Sequence, residues 1–447
     1  MSETPHRPDR EQPPVLAIRG DVLHCLRDPG EPPARAALEH LPDGLLVVRD
    51  GRIDAVGAAR SLLPKLGAEV AVHDHSGRLI VPGFVDAHVH YPQTDIIASD
   101  ASRLLEWLRT YTFPTEQRFD EPDHAREVAE FFLDELLRNG TTTALVMATV
   151  HEASVDAIFT AAETRGMRLV AGKMMMDRNC PPELCDRDGA GYAASKALIE
   201  RWHGRGRLLY AVTPRFAPTS SEAQLEHAGR LLAEHPDVYF HTHLAENREE
   251  VAWVAELFPW SRSYLDVYDR FGLVGQRAVF AHCIHVDDDD RSRMAATGAT
   301  AAFCPTSNLF LGSGLYDLAA ARRAGITVGV GTDVGGGTSF SLLRTLDEGY
   351  KVAQLQGGRL SAEQAFYLAT LGGARALDLD QHIGSFAPGK EADFTVLDPR
   401  ATPLLARRTA GARDIGETLF ALLLLGDDRC VAATYVMGAA AYARTPA

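Results

Sequence analysis

The chain repeats one pattern along most of its length: a short apolar run of strand length, then a longer stretch with helical periodicity. The apolar runs begin near Gly83 (GFVDAHVH), Thr141 (TTTALVMAT), Met167 (MRLVAGKMMM), Leu208 (LLYAVTPRF), Val238 (VYFHTHLAE), Ala278 (AVFAHCIHV), Thr300 (TAAFCPTSN) and Thr327 (TVGVGTDVGG). Helical stretches between them include HAREVAEFFLDELLRNG (124–140), SEAQLEHAGRLLAEH (221–235) and REEVAWVAELF (248–258). Gly140 and Gly166 stand where helix C-caps are expected. Strands that alternate with helices pair in parallel, because a parallel partner is reached only by a long crossover. Eight such units predict an α/β fold, a closed (β/α)8 TIM barrel over residues 76–383.

The flanks read differently. Residues 14–80 hold short strand-like pieces such as LLVVRDGRIDAVG, with an Asp50-Gly51 turn signal. Residues 384–397, GSFAPGKEADFTVL, form another turn and strand. Together, segments 15–75 and 384–440 predict one small β-sandwich domain built from both ends of the chain. Residues 1–14 are polar and proline-rich, with no apolar core of the kind a signal peptide needs, and are expected to be a disordered tail on a cytoplasmic protein.

Composition narrows the partners. Hydrophobic residues make up 46% and charged residues 23% of the 447, as in ordinary globular proteins, which excludes disorder for the bulk of the chain. The formal charge is −15, so polyanions such as nucleic acid and anionic membrane surfaces are disfavoured partners. No apolar run approaches the ~18 residues a membrane span needs. The six cysteines are scattered, without the density of a disulfide scaffold, and the lone C-x4-C of Cys180 and Cys185 is not a zinc signature.

Four clusters of ligand-type side chains fall at the ends of predicted barrel strands, the end at which barrel enzymes carry their active sites. His88 and His90 in DAHVH are two apart, so both imidazoles point to one face. HTHLAEN (241–247) places His241 and His243 on a shared face, with Glu246 at the strand-to-loop junction. AHCIH contributes His282 and His285, and GVGTDVGG puts Asp333 at the end of the eighth strand. Imidazole and carboxylate suit Zn²⁺ or Fe²⁺ and need no cysteine. Such a site activates a water, with Asp333 available to accept its proton and Glu246 to carry a proton to the substrate. His241 shares a face with His243, but the spacing to Glu246 in HLAEN favours His243 as the ligand and leaves His241 a layer deeper and hydrogen-bonded. Lys173, in the third run, raises a two-metal alternative. His285 and His151 read as loop or supporting residues. No G-x-S-x-G elbow and no dinucleotide-binding glycine spacing is present.

PGFVDAHVH, HLAEN, AHC and GTD, in that order, resemble the amidohydrolase superfamily, and IGSFAPGKEADFTVLD resembles the strand that completes its small β domain. Within it, HVHYPQ (88–93), LLEWLRTYTFPTEQRF (104–119), NGTTTA (139–144), VTPRF (212–216), HLAENREEV (243–251) and CPTSNLFLGSG (304–314) resemble the guanine deaminases. The 104–119 segment is the most discriminating, since the broader superfamily does not share it. The resemblance implies hydrolytic deamination of guanine, with one Zn²⁺ per chain (Fe²⁺ the alternative) on His88, His90, His243 and Asp333. It makes His282 the residue that orients the attacking water and Glu246 the proton shuttle. Gln93, Arg215, Phe216 and Glu246 would hold the purine: Arg215 on its carbonyl oxygen, Gln93 on a ring edge, Phe216 against its face. It also implies a homodimer. A deaminase or chlorohydrolase for another purine, pyrimidine or triazine is the second reading, and a barrel kept only as a scaffold the third.

Overall fold

The computed structural model describes residues 15–100, 103–187 and 189–445; the proposed N-terminal tail at 1–14 lies outside them. Each of the eight apolar runs forms a barrel strand: Phe84–His90, Thr141–Met147, Arg168–Gly172, Leu208–Pro214, Tyr239–Leu244, Ala278–His282, Thr300–Phe303 and Thr327–Val330. They pair in parallel in chain order from first to eighth. Backbone bonds from Asp333 N–H to the His88 carbonyl and from His90 N–H to the Val334 carbonyl, both 2.9 Å, tie the chain beyond the eighth strand to the first.

Alternation along the strands sorts side chains between two cores. Val85, Ala87, Leu145, Val170, Ala211, Tyr239, Val279 and Ala302 fill the barrel interior. Phe84, Ala144, Leu169, Tyr210, Phe240, Phe280 and Phe303 pack outward on the helices. The expected helices appear as Pro122–Arg138, Glu222–Glu234 and Arg248–Leu257. Gly140 and Gly166 follow helices with φ of 81° and 63°, the left-handed conformation that glycine adopts without steric cost.

The flanking segments form one seven-stranded sheet. Its order is Ala439–Ala443, Val431–Val436, Phe394–Leu397, Ala71–Pro82, Val15–Cys25, Leu38–Arg49, Arg52–Ala58. Separate apolar clusters cover its faces, Ile18, Val22, Ile80 and Phe394 in one and Ala17, Leu45 and Val47 in another. Asp50 and Gly51, at φ 53° and 72°, make the tight turn between its last two strands, since both central residues of a type I′ hairpin need positive φ. Helices Pro403–Thr409 and Ile415–Leu425 leave this sheet and bury Leu405, Leu419 and Leu422 in the outer core of the barrel. Cys180 and Cys185 form a disulfide, a pairing that composition did not suggest, while Cys25, Cys283, Cys304 and Cys430 are free and buried.

Candidate active site

The fifth barrel strand shows how the site is built. Tyr239, His241 and His243 point inward at successive layers, while Phe240, Thr242 and Leu244 face the helices. Tyr239 closes the lower layer by donating to the Leu377 carbonyl at 2.6 Å. One layer up, His241 Nε2 meets His88 Nδ1 at 2.7 Å. At the rim, His243 Nε2 comes within 3.1 Å of His90 Nε2. His241 is therefore a deeper partner of His88, and His243 is the member that reaches the cluster. Asp333 completes the group: its Oδ1 lies 3.1 Å from His88 Nε2 and 3.4 Å from His90 Nε2. His282 Nε2 is 3.4 Å from Glu246 Oε2 and 3.8 Å from Asp333 Oδ2. Asp333 and His282 both take left-handed backbone, φ 51° and 70°, the kind of strain that surrounding structure enforces at functional sites.

The arrangement fits a cation. His88 and His241 share a proton between Nδ1 and Nε2, and His243 Nδ1 is 2.6 Å from the Arg215 carbonyl, which can only accept. The Nε2 of His243 is thus left as a lone pair, and His88 Nε2 is buried with no hydrogen-bond partner. Burial is the largest influence on these rings: it holds His90, His241 and His243 well below the usual histidine range and lowers His88 too. Burial favours a protonated Asp333, but the adjacent His88, with His282 and His243, outweighs it and the net shift is downward. The Nε2 lone pairs of His88 and His243 converge with the Asp333 carboxylate, and His88, His90 and Asp333 place ligand atoms within 4.8 Å of one another, as do His88, His243 and His282. A divalent cation is the partner this donor set lacks.

Around it lies a small, partly enclosed cavity. Gln93, Arg215, Phe216, Glu246 and His282 line it, and Leu104, Trp107 and Leu108 close it from the 104–119 segment. All the site residues singled out in the sequence therefore meet at one rim. Lys173 does not join them: its Nζ is 2.6 Å from Asp186 Oδ1 and donates to the Met174 carbonyl. His285 bonds the Ser313 carbonyl at 3.0 Å and His151 the Thr149 hydroxyl at 3.1 Å, both outside the cluster.

Five further residues act on this group without having been singled out. Glu116 is fully buried and binds both Arg215 and Gln93. Asn308 Oδ1 meets His282 Nδ1 at 2.8 Å. Ser313 donates its hydroxyl to Glu246 Oε1 at 2.8 Å. Asp86 accepts the His88 and Thr332 N–H groups and the Thr332 hydroxyl, pinning the first strand to the eighth. Glu250 accepts the N–H groups of Glu246 and Asn247, both at 3.0 Å, and the Tyr264 hydroxyl at 2.7 Å. Asp86 stands two residues before His88, and 104–119, HLAENREEV and CPTSNLFLGSG contain Glu116, Glu250, Asn308 and Ser313, so the motifs pointed to their neighbourhoods but not to their roles.

Residues 79–441 match the amidohydrolase family. The guanine deaminase of Escherichia coli (strain K12) is 52% identical over 433 residues, covering 96% of this chain and 98% of that protein. The solved structure of an E. coli guanine deaminase superimposes with a TM-score of 0.95 at 51% identity, over 96% of this chain and 100% of that one. A guanine deaminase from C. acetobutylicum with guanine bound in its active site has a TM-score of 0.86 at 28% identity, over 96% and 100% of the two chains.

Proposed function

Because the chain belongs to the amidohydrolase family and deaminates guanine hydrolytically to xanthine and ammonia, we propose that His88, His90, His243 and Asp333 hold one divalent ion and that Glu246 carries the proton. The observation behind this is the convergence of unprotonated imidazole nitrogens on the Asp333 carboxylate. Imidazole and carboxylate donors suit Zn²⁺, with Fe²⁺ the alternative. When bound, such an ion supplies the Lewis acidity that makes water a competent nucleophile near neutral pH.

The protein's own groups do the rest. Asp333, ionised by its imidazole neighbours, accepts a proton from the attacking water. His282 sits between Glu246 and Asp333; burial opposes its charge, but the two carboxylates win and its pKa rises. It orients the water as a hydrogen-bond donor, its own ring fixed by Asn308. Burial raises the Glu246 carboxyl, which suits a group that must both take and give a proton. The water oxygen bonds to the ring carbon that bears the exocyclic amine as the adjacent ring C=N bond opens and Glu246 protonates that ring nitrogen. Glu246 then carries the proton of the new hydroxyl to the amine, the C–N bond breaks as the carbonyl forms, ammonia leaves, and the proton held by Asp333 returns to Glu246.

Arg215 receives the carbonyl oxygen, Gln93 a ring edge and Phe216 the ring face. The Nη1 of Arg215 is engaged by protein, whereas its Nη2 and Nε have no protein hydrogen bond among the described residues and are available to a ligand. A cytoplasmic homodimer rests on the likeness to guanine deaminases alone. No helix among the described residues is long and apolar enough to cross a membrane.

Ammonia release from guanine, adenine, cytosine and melamine, on protein of known metal content, tests the assignment. Turnover is expected with guanine, and Arg215→Ala should mainly weaken the preference for the 6-oxo ring. An unchanged preference in that variant would remove Arg215 from recognition.

A further inference from the structure

The residue that ties the recognition wall together is Glu116. It sits in the short helix Phe113–Gln117, its side chain is fully buried, and it does not line the cavity. Its two carboxylate oxygens receive Arg215 Nη1 at 2.7 and 3.0 Å. One of them also accepts from Gln93 Nε2, at 3.2 Å. The Gln93 amide is held from the other side as well, its Oε1 accepting the Gly335 N–H at 3.3 Å. Phe113, one turn earlier on the same helix, lies under the guanidinium with 5.5 Å from ring centroid to Cζ. One helical turn therefore clamps the arginine from below and from the side.

This geometry does two things. It commits Nη1 to protein, so the guanidinium can rotate about neither Nε–Cζ nor its own stem without breaking a charge-assisted pair. It also settles the Gln93 amide: Nε2 must face the carboxylate and Oε1 the backbone donor, so only one orientation is compatible with both. A buried cation without this anion would be costly to hold in place. Resting on the assignment of Arg215 and Gln93 to guanine, we infer that Glu116 is a positioning residue for base recognition: it presets the two side chains that read the 6-oxo edge and the ring edge before guanine arrives. Preorganisation of this kind tightens binding by removing the cost of ordering the groups on contact.

The test is a kinetic comparison of Glu116→Gln with the unmodified enzyme, each checked for folding by thermal melting. Glu116→Gln should raise KM for guanine roughly 10- to 100-fold, the worth of a hydrogen bond to a charged group, and change kcat far less. Inhibition by hypoxanthine, which keeps the 6-oxo group, should weaken by the same factor. Inhibition by purine, which lacks it and offers only the ring edge that Gln93 reads, should weaken much less. A general structural defect would weaken both inhibitors equally and lower kcat, and that result would overturn the inference. The second arm adds Glu116→Gln to Arg215→Met. If Glu116 acts through Arg215 and Gln93, the second change costs far less than it does alone, because the carboxylate no longer has a cation to hold and only its bond to Gln93 remains to be lost. A full additional loss in the double variant would also overturn it. Should Glu116→Gln fail to fold, Glu116→Asp, which keeps the charge but withdraws the carboxylate, should show the same KM-specific loss to a smaller degree; equal losses in KM and kcat there would reject the idea. Guanine turnover by the unmodified enzyme is measured in the same series, so failure of the substrate assignment and failure of the Glu116 inference give different results.

Discussion

The barrel buries charged and titratable side chains at both ends, and the two ends treat them in opposite ways. At the end where the strands begin, Arg168 Nε donates to Glu391 at 2.9 Å, Arg207 Nη2 to Glu391 at 2.7 Å and Arg207 Nη1 to Asp393 at 3.1 Å. Asp393 also receives the Met437 N–H at 2.9 Å. Donors and acceptors there are matched, and the result fastens the small sheet to the barrel. At the rim, acceptors outnumber donors: His88 Nε2 is buried without a hydrogen-bond partner, His243 Nδ1 is committed to the Arg215 carbonyl, and the Asp333 carboxylate lies among the rings. Desolvation is equally unfavourable in both places. Where protein alone satisfies the groups, the cluster is structural; where it leaves a deficit of positive charge, the cluster awaits a ligand.

The contrast can be broken by exchanging its consequences. Glu246→Gln should lower kcat on guanine by roughly 10²–10⁴-fold, the usual worth of a positioned acid–base group, with metal content retained and melting no lower. A rate within a few-fold of the unmodified enzyme would take Glu246 out of the mechanism. Glu391→Gln should do the reverse. It leaves the buried Arg168 guanidinium without its carboxylate, and Arg207 with Asp393 alone, and should destabilise the fold by about 3 kcal/mol in urea unfolding, with kcat unchanged. Lost activity at unchanged stability would mean the two ends are not distinct. Ser313→Ala probes the rim more gently: removal of the hydroxyl that holds Glu246 Oε1 should cost about 10-fold in kcat/KM, and no change would show that the carboxylate is held by other contacts.

The smallest effect is on pH dependence. Burial, with the Glu246 charge adding to it, pushes the Glu250 carboxyl from 4.5 up to about 7. The folded chain therefore binds the proton more tightly than the unfolded one. The stability this contributes is fully present below pH 4.5 and is lost as pH rises through about 7. Glu250→Gln should flatten that decline, read as the urea midpoint against pH. A decline of unchanged slope would assign it to other groups.

Much of the architecture was legible in the sequence because the barrel imposes two periods at once. Alternation within a run such as VYFHTHLAE states which side chains enter the barrel, and the helical stretches between runs state that the strands are parallel. The rim histidines and Asp333 were legible for the same reason: strand ends are fixed points, and a ligand at a strand end has one place to go. Glu116 and Glu250 lie on helices, where a carboxylate ordinarily faces water, and nothing in the local pattern says that these two turn inward. Their partners, Arg215 and Gln93 for one and Tyr264 with the Glu246 backbone for the other, come from other segments. The Cys180–Cys185 bond was equally hidden, since it depends on how one loop folds back on itself. Alternation puts His241 and His243 on one face; the spacing of His243 to Glu246 favoured it for the rim, and in the structure His241 lies one layer deeper, on His88.

The most direct measurement is guanine turnover followed through removal and return of the metal, with content determined at each stage. Protein stripped by chelation should lose essentially all ammonia release, gain it back in proportion to added Zn²⁺ or Fe²⁺ up to one ion per chain, and melt at a higher temperature once loaded. Asp333→Asn should fail to recover under the same titration. Full turnover by metal-free protein, or recovery in the Asp333 variant equal to that of the unmodified chain, would contradict the assignment of the rim as a single-cation centre.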